Sequence, residues 1–316
     1  MSSAVDALTF GEAMVAFRSA APLAQGGALV PHVVGAESNV AVALARLGHS
    51  ARWVSRLGGG PLGDLVLARL RGEGVQVDHV VRDPDRPTGL MIVERRTADL
   101  TRVEYRRAGS AASALAPHDI EGAVAAGARL VHLTGITPAL SPSARECVVH
   151  GARAARAAGA VVSLDVNYRS RLWSRQEARD ALRPLAELVD VVVASDDELD
   201  LVAEGDEDGA VAQLHGRGVS HVAVKRGAAG ASLWSGGDRH DVAAVPVTSV
   251  DPLGAGDAFS AGLLSGLLDG LPAQECLGRG AVLGAFAVSS HGDWEGLPRR
   301  DELHLLDGLR PGSPLR

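Results

Sequence analysis

Aromatic residues make up only 3% of the chain, and there are only two cysteines, Cys147 and Cys276. Both cysteines lie in apolar stretches with helical patterning. No CxxC or CxxH cluster exists, which excludes a disulfide framework and a structural zinc site. They read as buried thiols, and a reducing cytoplasm is the expected location. No apolar run approaches the roughly 20 residues needed to span a bilayer. The first ten residues carry no basic stretch ahead of an apolar one, so no secretory signal is expected. Positive charge is in deficit: 31 Lys and Arg face 38 Asp and Glu, a net charge of −7. Neither nucleic acid nor an anionic membrane surface is favoured as a partner. An anionic ligand must therefore be met by particular arginines.

The 316 residues are 46% hydrophobic, enough for one large α/β core or a core plus a small second unit. Strand patterns fall at 5–10, 51–57, 77–81, 89–95, 102–107, 130–134, 160–165, 190–194 and 222–225. Helical patterns fall at 38–47, 62–71, 143–158, 198–203, 259–268 and 281–289. Their alternation from residue 130 onward predicts a parallel sheet covered on both faces, with ligands at the carboxyl ends of its strands. Segments 13–34 and 88–107 are extended and fall outside that alternation, as an edge sheet or a lid. There is no internal repeat. Residues 309–316 are expected to form a disordered tail.

The most informative stretch is Asp-Pro-Leu-Gly-Ala-Gly-Asp-Ala-Phe-Ser-Ala-Gly at 251–262. It follows a strand-like run at 241–250 and leads into the apolar helix at 259–268. Gly254, Ala255 and Gly256 thus sit at a helix N-terminus, where free backbone N–H groups and the positive dipole end make an anion site. Asp257 places a carboxylate in that first turn. This pairing suits a hydroxyl that loses its proton while a phosphate gains charge. Taken alone, the same residues also read as a capped helix after a glycine turn. The whole stretch resembles the C-terminal signature of the ribokinase-like (PfkB) sugar kinases.

A second stretch, Gly-Ala-Glu-Ser-Asn-Val-Ala-Val-Ala-Leu-Ala-Arg-Leu-Gly at 35–48, resembles the first signature of the same family. Ser38 or Asn39 can cap the helix there, while Ala41, Leu44 and Ala45 pack on a sheet. Asn39 and Gly35 are candidates for contact with a substrate hydroxyl; a simple N-cap is the plainer role for Asn39. Gly58, Gly60 and Gly63 spell G-x-G-x-x-G between a strand and a helix, with Asp83 further on. Pro61 and the triple glycine favour a turn over a dinucleotide site. G-x-x-x-x-G-K-[ST] is absent, which excludes a P-loop kinase.

Four further stretches sharpen the resemblance: 87–91, 105–113, 133–141 and 163–169. Together they are similar to the 2-keto-3-deoxygluconate kinase subgroup. The resemblance runs over nearly the whole chain. It implies a three-layer α/β/α fold with a mainly parallel sheet and a small β-sheet lid. One kinase domain over 1–308 is expected, with 13–34 and 88–107 as the lid. Met91 and Val34 depart from the subgroup, which has Tyr and Gly there, and both positions are expected on the sugar side.

A sugar acid needs a cation for its carboxylate, ideally an arginine fork. Arg107 ends a lid strand and Arg169 follows the strand ending at Asp165; any single arginine also reads as a solvated surface residue. Tyr105 can hydrogen-bond a sugar and pack against it. The resemblance assigns Tyr105, Arg107 and Arg169 to the sugar acid. Glu198, in Ser-Asp-Asp-Glu, is expected to hold Mg2+ through water; an acidic helix start is its other reading. Lys225, Gly227 and Gly230 are expected beside ATP, with Gly256. Ser289 and the turn at Gly292 and Asp293 complete that side. A monovalent cation near Asp251 is a further expectation, and lid pairing suggests a homo-oligomer.

The resulting expectation is ATP-dependent phosphorylation of a sugar acid, with Asp257 as the base. Two other readings stand beside it. One is a kinase for a neutral sugar such as fructose or ribose; the other is a sugar-acid sensor without turnover.

Overall fold

The computed structural model describes residues 4–97 and 100–306. The expected tail at 309–316 lies outside them. The strands are β1 (Val5–Phe10), β2 (Met14–Ser19), β3 (Val30–Val34), β4 (Ala51–Val54), β5 (Arg56–Gly58), β6 (Val81–Asp83) and β7 (Leu90–Arg95). They continue as β8 (Thr101–Arg106), β9 (Ala128–Thr134), β10 (Val161–Asp165), β11 (Val191–Ser195), β12 (His221–Lys225), β13 (Ala231–Ser235) and β14 (Asp238–Val242). The helices are α1 (Ala36–Arg46), α2 (Pro61–Gly72), α3 (Pro117–Ala125), α4 (Pro142–Ala157), α5 (Arg175–Ala186), α6 (Glu207–Gly216), α7 (Ala255–Leu268) and α8 (Ala273–Val288).

The main sheet has eight strands in the order β14-β13-β12-β11-β10-β9-β1-β4. The six strands from β4 to β12 run parallel, and the β13–β14 hairpin closes one edge antiparallel. Strand residues alternate between two cores, as the period-2 geometry of a strand requires. Val192 and Ala194 of β11 join α3, α4, α5 and α6 on one face. Val191 and Val193 join α1, α2, α7 and α8 on the other. The fold is thus the ribokinase-like three-layer α/β/α arrangement. Segments 13–34 and 88–107 meet in a second sheet, in the order β3-β2-β7-β8. Its apolar face is Met14, Ala16, Val34, Met91 and Val93. Met91 and Val34 are both buried in that cluster.

Several local expectations are corrected. The run at 241–250 is strand only to Val242, because Pro246 removes a ladder donor and no neighbouring strand continues past β13. The pattern at 51–57 splits at Ser55 into β4 and β5, which belong to different sheets. The pattern at 77–81 yields only β6, starting at Val81. The helix expected at 198–203 is one 3-10 turn, Leu199–Leu201; the regular helix starts later, where Asp206 accepts from Gly209 N–H as its cap. The N-cap of α1 is Gly35, so Ser38 and Asn39 lie inside its first turn.

Candidate active site

The parallel strands end at Phe10, Thr134, Asp165, Ser195 and Lys225, and the site forms at those ends. Asp257 enters from the first turn of α7. Gly254 caps that helix with φ 76°, a left-handed conformation costly for any residue with a Cβ. A Cβ at Gly254 would lie 2.4 Å from the carbonyl oxygen of Asp293. The turn therefore demands glycine twice over, by dihedral and by space. Gly35 is similar: φ is 153° and a Cβ would meet the Glu12 carbonyl at 2.3 Å.

Asp257 is buried, and two amides hold it. Asn39 Nδ2 donates to its Oδ2 at 2.8 Å, and Asn167 Nδ2 donates to its Oδ1 at 3.2 Å. Burial raises the Asp257 carboxyl above the ordinary aspartate range, against the opposing Asn39 bond. Nearby Asp165 raises it further, while Arg169 and Lys225 pull it down. A base so placed is fixed in position and primed to accept a proton. Asn167 was not assigned a role from sequence. It sits at φ 40°, in the left-handed region, just past β10. Backbone strain of this kind marks a residue held for its side chain.

Lys225, the only lysine in the chain, ends β12. Its Nζ bonds both oxygens of Asp165, at 3.0 and 2.8 Å, and Ser260 Oγ also donates to Asp165 at 2.7 Å. A Cβ at Gly256 would stand 3.4 Å from that ammonium. The cation thus sits beside the helix start, where a phosphate would find both. Gly227–Ala229 is an exposed 3-10 turn, with Gly227 at φ 53° facing open space. Gly230, at φ 92°, packs on the Val242 carbonyl, where a Cβ would be 2.1 Å away. Ser289 is exposed and donates back to Ala285 O at 2.7 Å.

Glu198 is buried, and each carboxylate oxygen takes one backbone donor. Tyr168 N–H reaches Oε1 at 2.7 Å and Ser195 N–H reaches Oε2 at 2.8 Å. Glu198 therefore ties the loop after β10 to the end of β11. Each oxygen keeps a second lone pair, so the residue still fits a bond to a metal-held water. No cluster of three or more metal-ligating side chains occurs among the described residues.

On the small-sheet side, Arg107 ion-pairs with Glu12, whose other oxygen accepts from Ser110 Oγ at 2.6 Å. The guanidiniums of Arg107 and Arg171 each lie 5.8 Å from the ring centre of Tyr105. Arg169 is exposed; its bond is to the Tyr168 carbonyl at 3.3 Å, and its charge is felt at Asp257. So Asn39, Asp257 and Arg169 come together, whereas Arg107 is already engaged by a buried carboxylate. Asp293 stands closer to the centre than its sequence position suggested. It accepts from Asn39 Nδ2 at 3.2 Å, and burial pushes its carboxyl up to about 7.

A family model described as "pfkB family carbohydrate kinase" matches residues 6–300. The chain belongs to the PfkB family of carbohydrate kinases. It is a sugar kinase, a phosphotransferase, and kinases of this family use ATP with Mg2+. The chain is 36% identical to a 2-dehydro-3-deoxygluconokinase of Bacillus subtilis, over 95% of this chain and 94% of that one. It is 37% identical to a 2-dehydro-3-deoxygalactonokinase of Haloferax volcanii, over 90% and 92%. A fructokinase of Escherichia coli is 33% identical over 88% and 92%. The solved 2-dehydro-3-deoxygluconokinase of Thermotoga maritima superposes with a TM-score of 0.84 at 28% identity, over 96% and 98%. An E. coli protein solved with ATP and Mg2+ gives 0.89 at 28% identity, over 95% and 98%.

Proposed function

We propose that this PfkB kinase phosphorylates a sugar acid, 2-keto-3-deoxygluconate foremost, on its terminal hydroxyl. The observation that carries the mechanism is Asp257, buried at the start of α7 between the amides of Asn39 and Asn167. In this reading Asp257 takes the hydroxyl proton as the oxygen attacks the γ-phosphorus of ATP. The bond from that phosphorus to the bridging oxygen breaks, and ADP leaves with the electron pair. Backbone N–H groups of the turn at Gly254, Ala255 and Gly256 face the growing negative charge. Lys225 neutralises phosphate beside them. Glu198 would hold Mg2+ through water, and the ion would supply positive charge to the ATP phosphates. Gly227, Gly230 and Ser289 would flank the nucleotide. One domain over 1–308 does the whole reaction in this reading, with 13–34 and 88–107 as its lid.

The acid preference rests on Arg169, whose guanidinium has only a backbone carbonyl as partner among the described residues. A substrate carboxylate fits that vacancy of charge. Asn39 Oδ1, buried without a partner among the described residues, suits a sugar hydroxyl. Tyr105 and Gly35 would complete the sugar's surroundings, with Arg107 sharing its charge with Glu12. The fructokinase relative favours the second reading, a neutral-sugar kinase. The expected monovalent cation meets a carboxylate already carrying Arg18 and Leu253 N–H, so potassium titration belongs in the assay. The small sheet exposes Leu29 and Val30, which supports pairing of lids in a homo-oligomer.

ADP release with Mg-ATP and a panel of sugars tests the reading. The panel is 2-keto-3-deoxygluconate, its galactose-derived epimer, gluconate, fructose and ribose. Turnover confined to the keto-deoxy acids is expected. A preference for fructose or ribose would overturn the carboxylate assignment, and no turnover would favour the sensor. Asp257→Asn is expected to lose roughly 10²- to 10⁴-fold in kcat while still binding ATP. Arg169→Ala is expected to raise KM for the sugar acid more than it lowers kcat.

A further inference from the structure

Arg18 lies near the end of lid strand β2, yet its side chain leaves the lid and is largely buried, 13% exposed. One amino group ion-pairs with Asp251, the residue that opens the turn before α7. The other donates to Asp293 Oδ1 at 3.0 Å. Each carboxylate leads directly to the reaction centre. Asp251 Oδ1 accepts from Leu253 N–H at 3.1 Å, which shapes the turn ahead of Gly254. Asp293 Oδ2 accepts from Asn39, the same amide that holds Asp257. The backbone of Asp293 also lies against Gly254, with no room for a methyl group between them.

We propose that Arg18 is a positioning residue for phosphoryl transfer, tying the lid to the anion turn through Asp251 and Asp293. The inference rests on Asp257 being the base. Asp251, Asp257 and Asp293 are three buried carboxylates in one small region, and like charges there repel strongly. One guanidinium bridging two of them offsets that repulsion and fixes both in a planar fork. Because Arg18 travels with β2, this arrangement is complete only while the lid is in this position.

The loop carrying Asp293 has other anchors, so the role of Arg18 is separable from simple structure. Trp294 Nε1 donates to Val33 O at 2.8 Å, and His32 Nδ1 meets Glu295 Oε1 at 2.6 Å. Arg46 donates to the carbonyls of Trp294 and Leu297, each at 2.8 Å. Removing Arg18 leaves those bonds in place and strips only the bridging charge.

The test is steady-state kinetics of Arg18→Ala and Arg18→Lys with the sugar that turns over best, alongside melting curves. Arg18→Ala is expected to stay folded and to lose about 10²-fold in kcat, the scale of an ångström-level misplacement. Its KM for ATP is expected to change by less than about threefold. Low, non-denaturing guanidinium should restore part of that kcat and leave the wild type unchanged. Arg18→Lys should fall between the two, since an ammonium cannot bridge both carboxylates as a fork does. Wild-type kcat in folded Arg18→Ala overturns the proposal. So does a loss that neither guanidinium nor lysine relieves, which marks a purely structural contact. Asp257→Asn in the same assay keeps the two ideas apart. If that variant is active, the base assignment fails; if it is inactive beside a fully active Arg18→Ala, only the role of Arg18 fails.

Discussion

Asp257 and Glu37 are buried acids that feel each other's charge, and burial pushes both upward. In the proposed reaction Asp257 must be ionised to act, so the acid limb of kcat/KM is expected above the ordinary aspartate range. A pH profile with an unshifted limb near pH 4 would count against it. Glu37 is raised to about 7, chiefly by complete burial, against bonds from Thr134 and Thr137, each at 2.6 Å. Its raised value means the folded state holds that proton more tightly than the unfolded one. This contribution is fully present below about pH 4.5 and is lost as pH rises through 7. The swing is on the order of 3 kcal/mol. Glu37→Gln keeps an acceptor for both threonines and removes the titration. Its unfolding free energy is therefore expected to vary less between pH 5 and 8 than that of the wild type, as urea melts can show; an unchanged slope would remove Glu37 as the cause. Asn39 and Asp257 were legible because each lies in a contiguous motif with its own local geometry. Arg18, Asn167 and the closeness of Asp293 were not. Asp293 lies 254 residues from Asn39, and no local pattern encodes such a contact.

The glycine turn at 254–256 opens α7, and its shape depends on one backbone conformation. Gly254→Ala forces a Cβ into a left-handed residue and against the Asp293 backbone. Such strain costs about 1–3 kcal/mol, and the turn can relieve it only by moving the backbone N–H groups at the start of α7. The variant is expected to melt earlier and to lose kcat beyond what its folded fraction explains. Equal specific activity per folded molecule would show that the turn tolerates displacement. Elements with strong periodicity were readable: β1, α1, α2, β9, α4, β10 and β12 lie within a few residues of their expected places. The two overlong strand readings share one cause. Strand patterns at 77–81 and 241–250 have β-branched residues, but a strand also needs a partner, and the sheet offers none there. α5 went unassigned although Ala178, Leu182 and Leu185 recur at helical spacing and form its buried face.

The small sheet and the main body are joined by polar contacts as well as by chain connections. Arg171 Nη1, from the loop after β10, donates to Val103 O of β8 at 2.8 Å and covers the Tyr105 ring. An exposed contact of this kind is worth about 1 kcal/mol or less. Arg171→Ala is therefore expected to raise KM for the sugar up to about fivefold, with kcat nearly unchanged. A large fall in kcat instead would mean that the loop after β10, not the small sheet, had been disturbed. The alternating layers, the glycine turn before α7 and the family were all set by local order along the chain: period-2 and helical patterns, and motifs only a few residues long. Which charges meet was decided by folding. Arg107 turns onto Glu12, Lys225 onto Asp165, and Arg18 onto Asp251 and Asp293. Long side chains choose partners by three-dimensional proximity and by the cost of leaving a buried charge unpaired, and neither quantity exists until the strands that carry them are packed side by side.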